Sequence, residues 1–196
     1  MFQDLDATLE ALVQGEMSLP GITISFATPD DQFPPSGVAL PAVAFFLYDV
    51  RENHELRTNQ WDTTRPESGM VTRKRAPARV LCSYLVTAWP SGSAPNPAQD
   101  EHRLLGAVMK VLLRHREIPA SYLRGELAEQ PAPLPARVTA ESQLQGIGEF
   151  WQAMGGRPKA ILHYSVTLSV DVFESTDVGP VVTERFLHIG HGVDES

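Results

Sequence analysis

Two strongly apolar runs, Ala42–Val50 and Val80–Trp89, enclose a highly charged stretch, Arg51–Arg79. This constrains the fold more than any other feature of the chain. The first run is apolar on both alternating faces, with Val43, Phe45 and Leu47 on one and Ala44, Phe46 and Tyr48 on the other. That pattern is expected of a central strand covered on both sides. The second run places Val80, Cys82, Tyr84 and Val86 on one face. The interval carries Arg51, Glu52, Glu55, Arg57, Asp62, Arg65, Glu67, Arg73, Lys74, Arg75 and Arg79. It reads as an arm leaving the core, either a long polar hairpin turning near Glu67-Ser68-Gly69 or a mostly disordered loop.

The flanking segments supply helices and further strands. Phe2, Leu5, Leu9, Leu12 and Val13 recur at helical spacing, predicting an amphipathic helix over 2–14 that Gly15 stops. Ile22–Phe26 reads as a short strand, and residues 28–41 as a proline-rich loop. Asn96-Pro97 is a helix-start signal. Leu104, Leu105, Val108, Val111 and Leu112 form the apolar stripe of a helix over 97–115. Residues 118–127 read as a turn or strand, 130–136 as a linker, and 141–154 as a short helix. Ile161–Phe173 alternates cleanly. Leu162, Tyr164, Val166, Leu168, Val170 and Val172 are expected inward, and His163, Ser165, Thr167, Ser169 and Asp171 on a solvated face. Gly179-Pro180 reads as a turn before a last strand, Val181–Ile189. The expected fold class is therefore α/β (α+β). A single domain over 1–190 would hold a mixed or mostly antiparallel sheet flanked by helices, with the arm 51–79 inserted and a flexible tail at 191–196.

Charge and motif content narrow the function. A formal net charge of −8 argues against a general nucleic-acid binder or a protein docking on anionic lipid. The one cysteine, Cys82, excludes an internal disulfide and sits in an apolar run, as a buried structural thiol does. The acidic N-terminus is unlike a signal peptide. His188-Ile-Gly-His191 spells a class I aminoacyl-tRNA synthetase signature, but it lies too near the C-terminus to open the required helix. Gly146-Ile-Gly148 lacks the remainder of a dinucleotide loop. Asp100, Glu101 and His102 are consecutive on a helix start and point apart, which suits a cap and surface role rather than a metal site. Catalytic, cofactor-binding and metal-ligating residues are accordingly expected to be none. The candidate interface residues are Arg51, Glu52, Glu55, Arg57, Trp61, Arg73, Lys74, Arg75 and Arg79. Trp61, Trp89 and Trp151 read as core or interface anchors.

Four segments occur in order: FFLYDVRENHELR, SYLVTAW, DEHRLLGAVMKVLLRH and FWQAMGGRPKAILHYSVTLSV. Together they resemble the domain-of-unknown-function family at the N-terminus of cap proteins in extracellular contractile injection systems, such as the Photorhabdus virulence cassettes and the antifeeding prophage. The resemblance runs over about residues 2–174. It implies a phage tail-terminator-like domain that forms a homohexameric ring, ends the inner tube and anchors the last sheath layer. The implied partners are a second copy of the chain, the inner tube protein and the sheath protein, with no membrane, nucleic acid or cofactor. The implied place of assembly is the cytoplasm, within a particle that can be released. A nucleic-acid or protein adaptor using the basic residues, and a small enzyme, are the alternatives.

Overall fold

The structure is a computed structural model that describes residues 1–28, 37–67, 69–130, 133–139, 147–153 and 159–180. In chain order its elements are α1 (Phe2–Glu16), β1 (Thr23–Ser25), β2 (Ala42–Glu52), β3 (Trp61–Thr64), β4 (Met70–Arg75), β5 (Ala78–Trp89), α2 (Pro97–Arg114), β6 (Ala136–Thr139), α3 (Ile147–Ala153), β7 (Leu162–Val170) and β8 (Thr176–Pro180). They form a mixed α/β architecture with two sheets, divided between two compact units. One unit comprises residues 1–57 and 78–170, and the other residues 58–77 and those from 171 on.

The first unit contains a five-stranded sheet in the order β1-β2-β5-β7-β6. β1 pairs with β2 in parallel, and the other pairings are antiparallel. Strand alternation brings Val43, Phe45, Tyr84, Val86, Tyr164, Val166 and Leu168 to one face, all buried. Leu5, Leu9 and Val13 of α1 and Val108 and Leu112 of α2 complete that core. The Phe45 ring stacks on Phe26 at 5.7 Å and meets the edge of Tyr84 at 6.2 Å, both ordinary aromatic geometries.

The helices form where the apolar spacing requires them, but their ends are decided by packing. α1 passes through Gly15 and ends at Glu16, where the Met17 amide donates to the Val13 carbonyl. Gly15 is therefore not a stop. A Cβ there would lie 2.7 Å from Cε1 of Tyr122, so the glycine admits the tyrosine ring, whose hydroxyl donates to Glu16 at 3.0 Å. α2 begins after Asn96 as expected, yet the Asn96 side chain makes no capping bond; its carbonyl accepts from the Asp100 amide at 3.1 Å.

Several expectations need correction. Residues 118–127 take the turn of the two expected alternatives, with 3-10 turns at Ala120–Tyr122 and at Gly125–Glu129, which extends past them. The expected linker 130–136 runs into edge strand β6, with Leu134 buried. The prolines lie just before the strand: the Pro135 carbonyl accepts from the Thr167 amide at 2.9 Å, while the Ala136 amide donates to the Arg116 carbonyl at 2.8 Å on the other side. The outward face of β7 is not solvated: His163, Ser165, Thr167 and Ser169 are 9, 8, 4 and 5% exposed. These small polar residues lie on an interior strand between β5 and β6, where flanking residues shade them. β7 ends at Val170, leaving Val172 exposed rather than inward, with Phe173 exposed beside it. β2 lies inside the sheet, but its second face (Ala44, Phe46, Tyr48) is only half-buried. α3 covers the second half of the expected helix, while 140–146 and 154–158 lie outside the described residues. So do the expected strand 181–189, the HIGH tetrapeptide and the tail.

The second unit is a three-stranded antiparallel sheet, β3-β4-β8. Gly179, expected in a turn, lies in β8 opposite Val71, at an irregularity in the pairing. The charged stretch 51–79 is thus not one element. Arg51 and Glu52 finish β2, Ala78 and Arg79 begin β5, and 58–77 belong to the second sheet.

Two tests follow from the core. Burial and the nearby Asp6 and Asp49 charges push the fully buried Cys82 thiol up to about 12. A thiol-specific reagent is expected to leave native protein unmodified at neutral pH and to label it once denaturant unfolds it. Asp6 accepts a hydrogen bond from the Tyr84 hydroxyl at 2.9 Å, yet burial raises its carboxyl above the ordinary 3.8. The folded state therefore binds more protons than the unfolded one just above pH 3.8, and this residue's contribution to stability falls as pH rises through that window. Asp6→Asn should be more stable than the parent at neutral pH, with the difference vanishing below pH 3.8, in paired denaturant titrations.

Candidate functional site

The candidate residues separate by unit: Arg51, Glu52, Glu55, Arg57 and Arg79 in the first, Trp61, Arg73, Lys74 and Arg75 in the second. In the first unit a β-bulge decides their direction. Leu47 faces Tyr84 and Asp49 faces Ser83, so one residue of β2 is extra at Tyr48. Beyond the bulge, Asp49 and Arg51 pair with Ser83 and Leu81, on the polar face of the sheet, and Val50 turns to the side of Cys82. Strict alternation would place Arg51 on the opposite face; the bulge reverses it.

Asn53 then fixes the exit of β2. Its amide donates to the Arg79 carbonyl at 2.7 Å, and its Nδ2 to Thr167 Oγ1 at 3.1 Å. Its Oδ1 accepts from the Glu55 amide at 3.2 Å, capping the 3-10 turn His54–Leu56. Arg79 donates to Ser169 Oγ, whose amide donates to Gln130 Oε1 at 3.0 Å. The bonds of Asn53 to Thr167 and Glu55 border a groove of about 430 Å³. It is lined by Arg51, Glu52, His54 and Glu55 from the β2 exit and by Arg137 and Thr167 from the sheet. Arg57 stands 3.6 Å from Glu52, and Arg51 3.5 Å from Asp49. Both signs of charge meet in the groove, which suits polar docking. Sequence reasoning missed Asn53, Arg137 and Thr167; an Asn just past a strand is a turn signal that could have marked the first.

In the second unit, register brings Trp61 opposite Arg75 and Thr63 opposite Arg73 on one face. The Arg73 and Arg75 guanidinium carbons lie 4.4 and 5.1 Å from the Trp61 ring centre, and Arg75 is also 5.5 Å from Phe173. Trp61 is 40% exposed, so of the three tryptophans it is a surface residue, whereas Trp89 and Trp151 are buried. Lys74 points to the other face, where it pairs with Asp171.

Elsewhere, Asp100 at the start of α2 binds Arg103 at 2.9 Å, whereas Glu101, expected in a cap and surface role, forms a largely buried ion pair with Lys159 at 2.9 Å. Lys159, unforeseen in the sequence, lies 3.4 Å from the Trp89 ring centre and donates to the Ala88 carbonyl. Burial lowers its pKa, against the opposing pull of Glu101. Among the described residues no cluster of three metal-ligating side chains occurs, and no helix is long and apolar enough to cross a membrane.

Residues 4–184 match the family model described as the Pvc16 N-terminal domain. The chain belongs to the Pvc16 N-terminal domain family. Two solved structures share this family member's fold, each with a TM-score of 0.64. One is the PVC sheath/tube terminator of an extracellular contractile injection system in its extended state; at 23% identity, the likeness covers 100% of this chain and 65% of that one. The other is the anti-feeding prophage tube-terminating cap; at 22% identity, it covers 96% of this chain and 62% of that one. The chain thus spans less than two thirds of the length of either protein. Among curated proteins no sequence shows significant similarity to it.

Asn53→Ala removes the bond to Thr167 and the cap on the following turn, and should cost about 1–2 kcal/mol of stability. Chemical denaturation of the variant against Asn53→Asp, which keeps the capping oxygen, separates the two contributions.

Proposed function

We propose that this chain is a structural cap, or tail terminator, of a phage-tail-like contractile injection particle. It would form a homohexameric ring on the end of the inner tube, stop tube growth and anchor the last sheath layer. The observation that carries this reading is the family match over nearly the whole chain, together with a shared fold with a sheath/tube terminator and a tube-terminating cap. Its partners on this reading are a second copy of itself, the inner tube protein and the sheath protein, assembled in the cytoplasm into a particle that can be released. The physical features agree with such work. The first unit is a rigid sheet with a buried core, and it carries charged residues at the β2 exit. The second presents exposed arginines and aromatic rings. A ring needs two different patches on each subunit that meet head to tail, and mixed surface charge sets their register.

Electron microscopy and native mass spectrometry of the purified chain test the proposal. A closed six-fold ring is expected, together with tubes of uncontrolled length in particles made without the chain. A strict monomer whose absence leaves particle length unchanged would overturn it.

A further inference from the structure

We infer that the Trp61–Arg73–Arg75 face of the second unit is a docking site for an extended acidic protein segment with carboxylates at alternate positions. This deepens the reading of the chain as an assembly component and rests on it.

Strand alternation segregates charge between the two faces of this sheet. Trp61, Thr63, Arg73 and Arg75 share one face, and the residues directly paired across β3 and β4 there are Trp61 with Arg75 and Thr63 with Arg73. The other face holds Asp62 opposite Lys74, Asp177 opposite Thr72, and the Lys74–Asp171 ion pair. Among the described residues, arginines without acids thus lie on one side, and three acids with one lysine, paired to Asp171, on the other. Arg73 and Arg75 are exposed, and neither meets a carboxylate among the described residues.

The guanidinium groups lie over aromatic rings. Arg73 and Arg75 both lie over Trp61, and Arg75 also faces Phe173. An arginine held over a ring can still present its forked N–H groups to a carboxylate, and the contact limits the rotamer freedom that binding would otherwise cost. The spacing then selects the ligand. Residues two apart on a strand repeat at about 6.6–6.8 Å, and so do alternate side chains of an extended ligand. A segment of the form acid-x-acid therefore matches both arginines at once. Nucleic acid fits less well, because two arginines offer few phosphate contacts on a chain whose formal net charge is −8.

The test uses the full chain and labelled octapeptides, read by fluorescence anisotropy at low and physiological salt. Alternating Glu and Ser should bind. Alternating Gln and Ser should not, and the same glutamates in one block should bind more weakly. The double variant R73Q/R75Q should weaken binding by about tenfold or more. R73K/R75K should lose most of it as well, since lysine keeps the charge but not the stacked fork. Arg103→Gln, on α2, serves as the charge control and should bind like the parent. Equal binding of the neutral or block peptide overturns the inference. So does tighter binding of oligothymidylate, which would make the occupant nucleic acid. Self-association lost in R73Q/R75Q would make it a second copy and equally overturn the inference. Because binding is read on the isolated chain, its failure is distinguishable from failure to form a ring or to set tube length.

Discussion

The backbone of β5 must satisfy hydrogen-bonding groups on both of its edges while burying side chains on both of its faces, and the first unit depends on how this is done. β2 pairs along one edge and β7 along the other, nearly from Ala78 to Trp89. On one face Cys82, Tyr84 and Val86 meet the helices; on the other Ser83, Leu85 and Thr87 are also nearly inaccessible. A buried strand with an unpaired amide would lose several times what a single surface contact contributes, so both neighbours are obligatory. The charged stretch between β2 and β5 must consequently begin and end at adjacent strands.

Polar groups are paired in detail where this scaffold meets its surface. Asn53 joins β5, β7 and the first turn after β2 through three hydrogen bonds. The bulge at Tyr48 turns Arg51 to the same side. Such bonds make the groove a place of defined geometry rather than a loop surface. In the second unit the ordering device is different: a small sheet with little buried apolar surface presents its arginines on aromatic rings. Mixed charge in one unit and segregated charge in the other suit contacts that select partners more than they add affinity.

Much of the architecture was legible in the residues themselves. The alternation of 162–170, the apolar runs 42–50 and 80–89, and the stripes of the first and second helices all name their elements with small errors at the ends. The resemblance of four ordered segments pointed to the family later matched over residues 4–184. Less legible were the parts in which a short segment acquires structure only from a partner. β6 is four residues beside prolines, and it exists because β7 offers a free edge. β3 and β4 are almost wholly polar, so no periodicity separates a hairpin from a loop there. The charged stretch 51–79 is divided between the end of β2, the second unit and the start of β5 rather than forming a single arm.

What the sequence by itself determined is which faces must be buried, since apolar periodicity depends only on neighbours along the chain. Tertiary structure alone decided which polar residues share a surface. Register, one bulge and the pairing of β3 with β4 place Arg51 beside Leu81, and Arg73 and Arg75 over Trp61. Each of these depends on hydrogen bonds between residues distant in sequence. A slip of one residue would reverse every one of them without changing the local pattern.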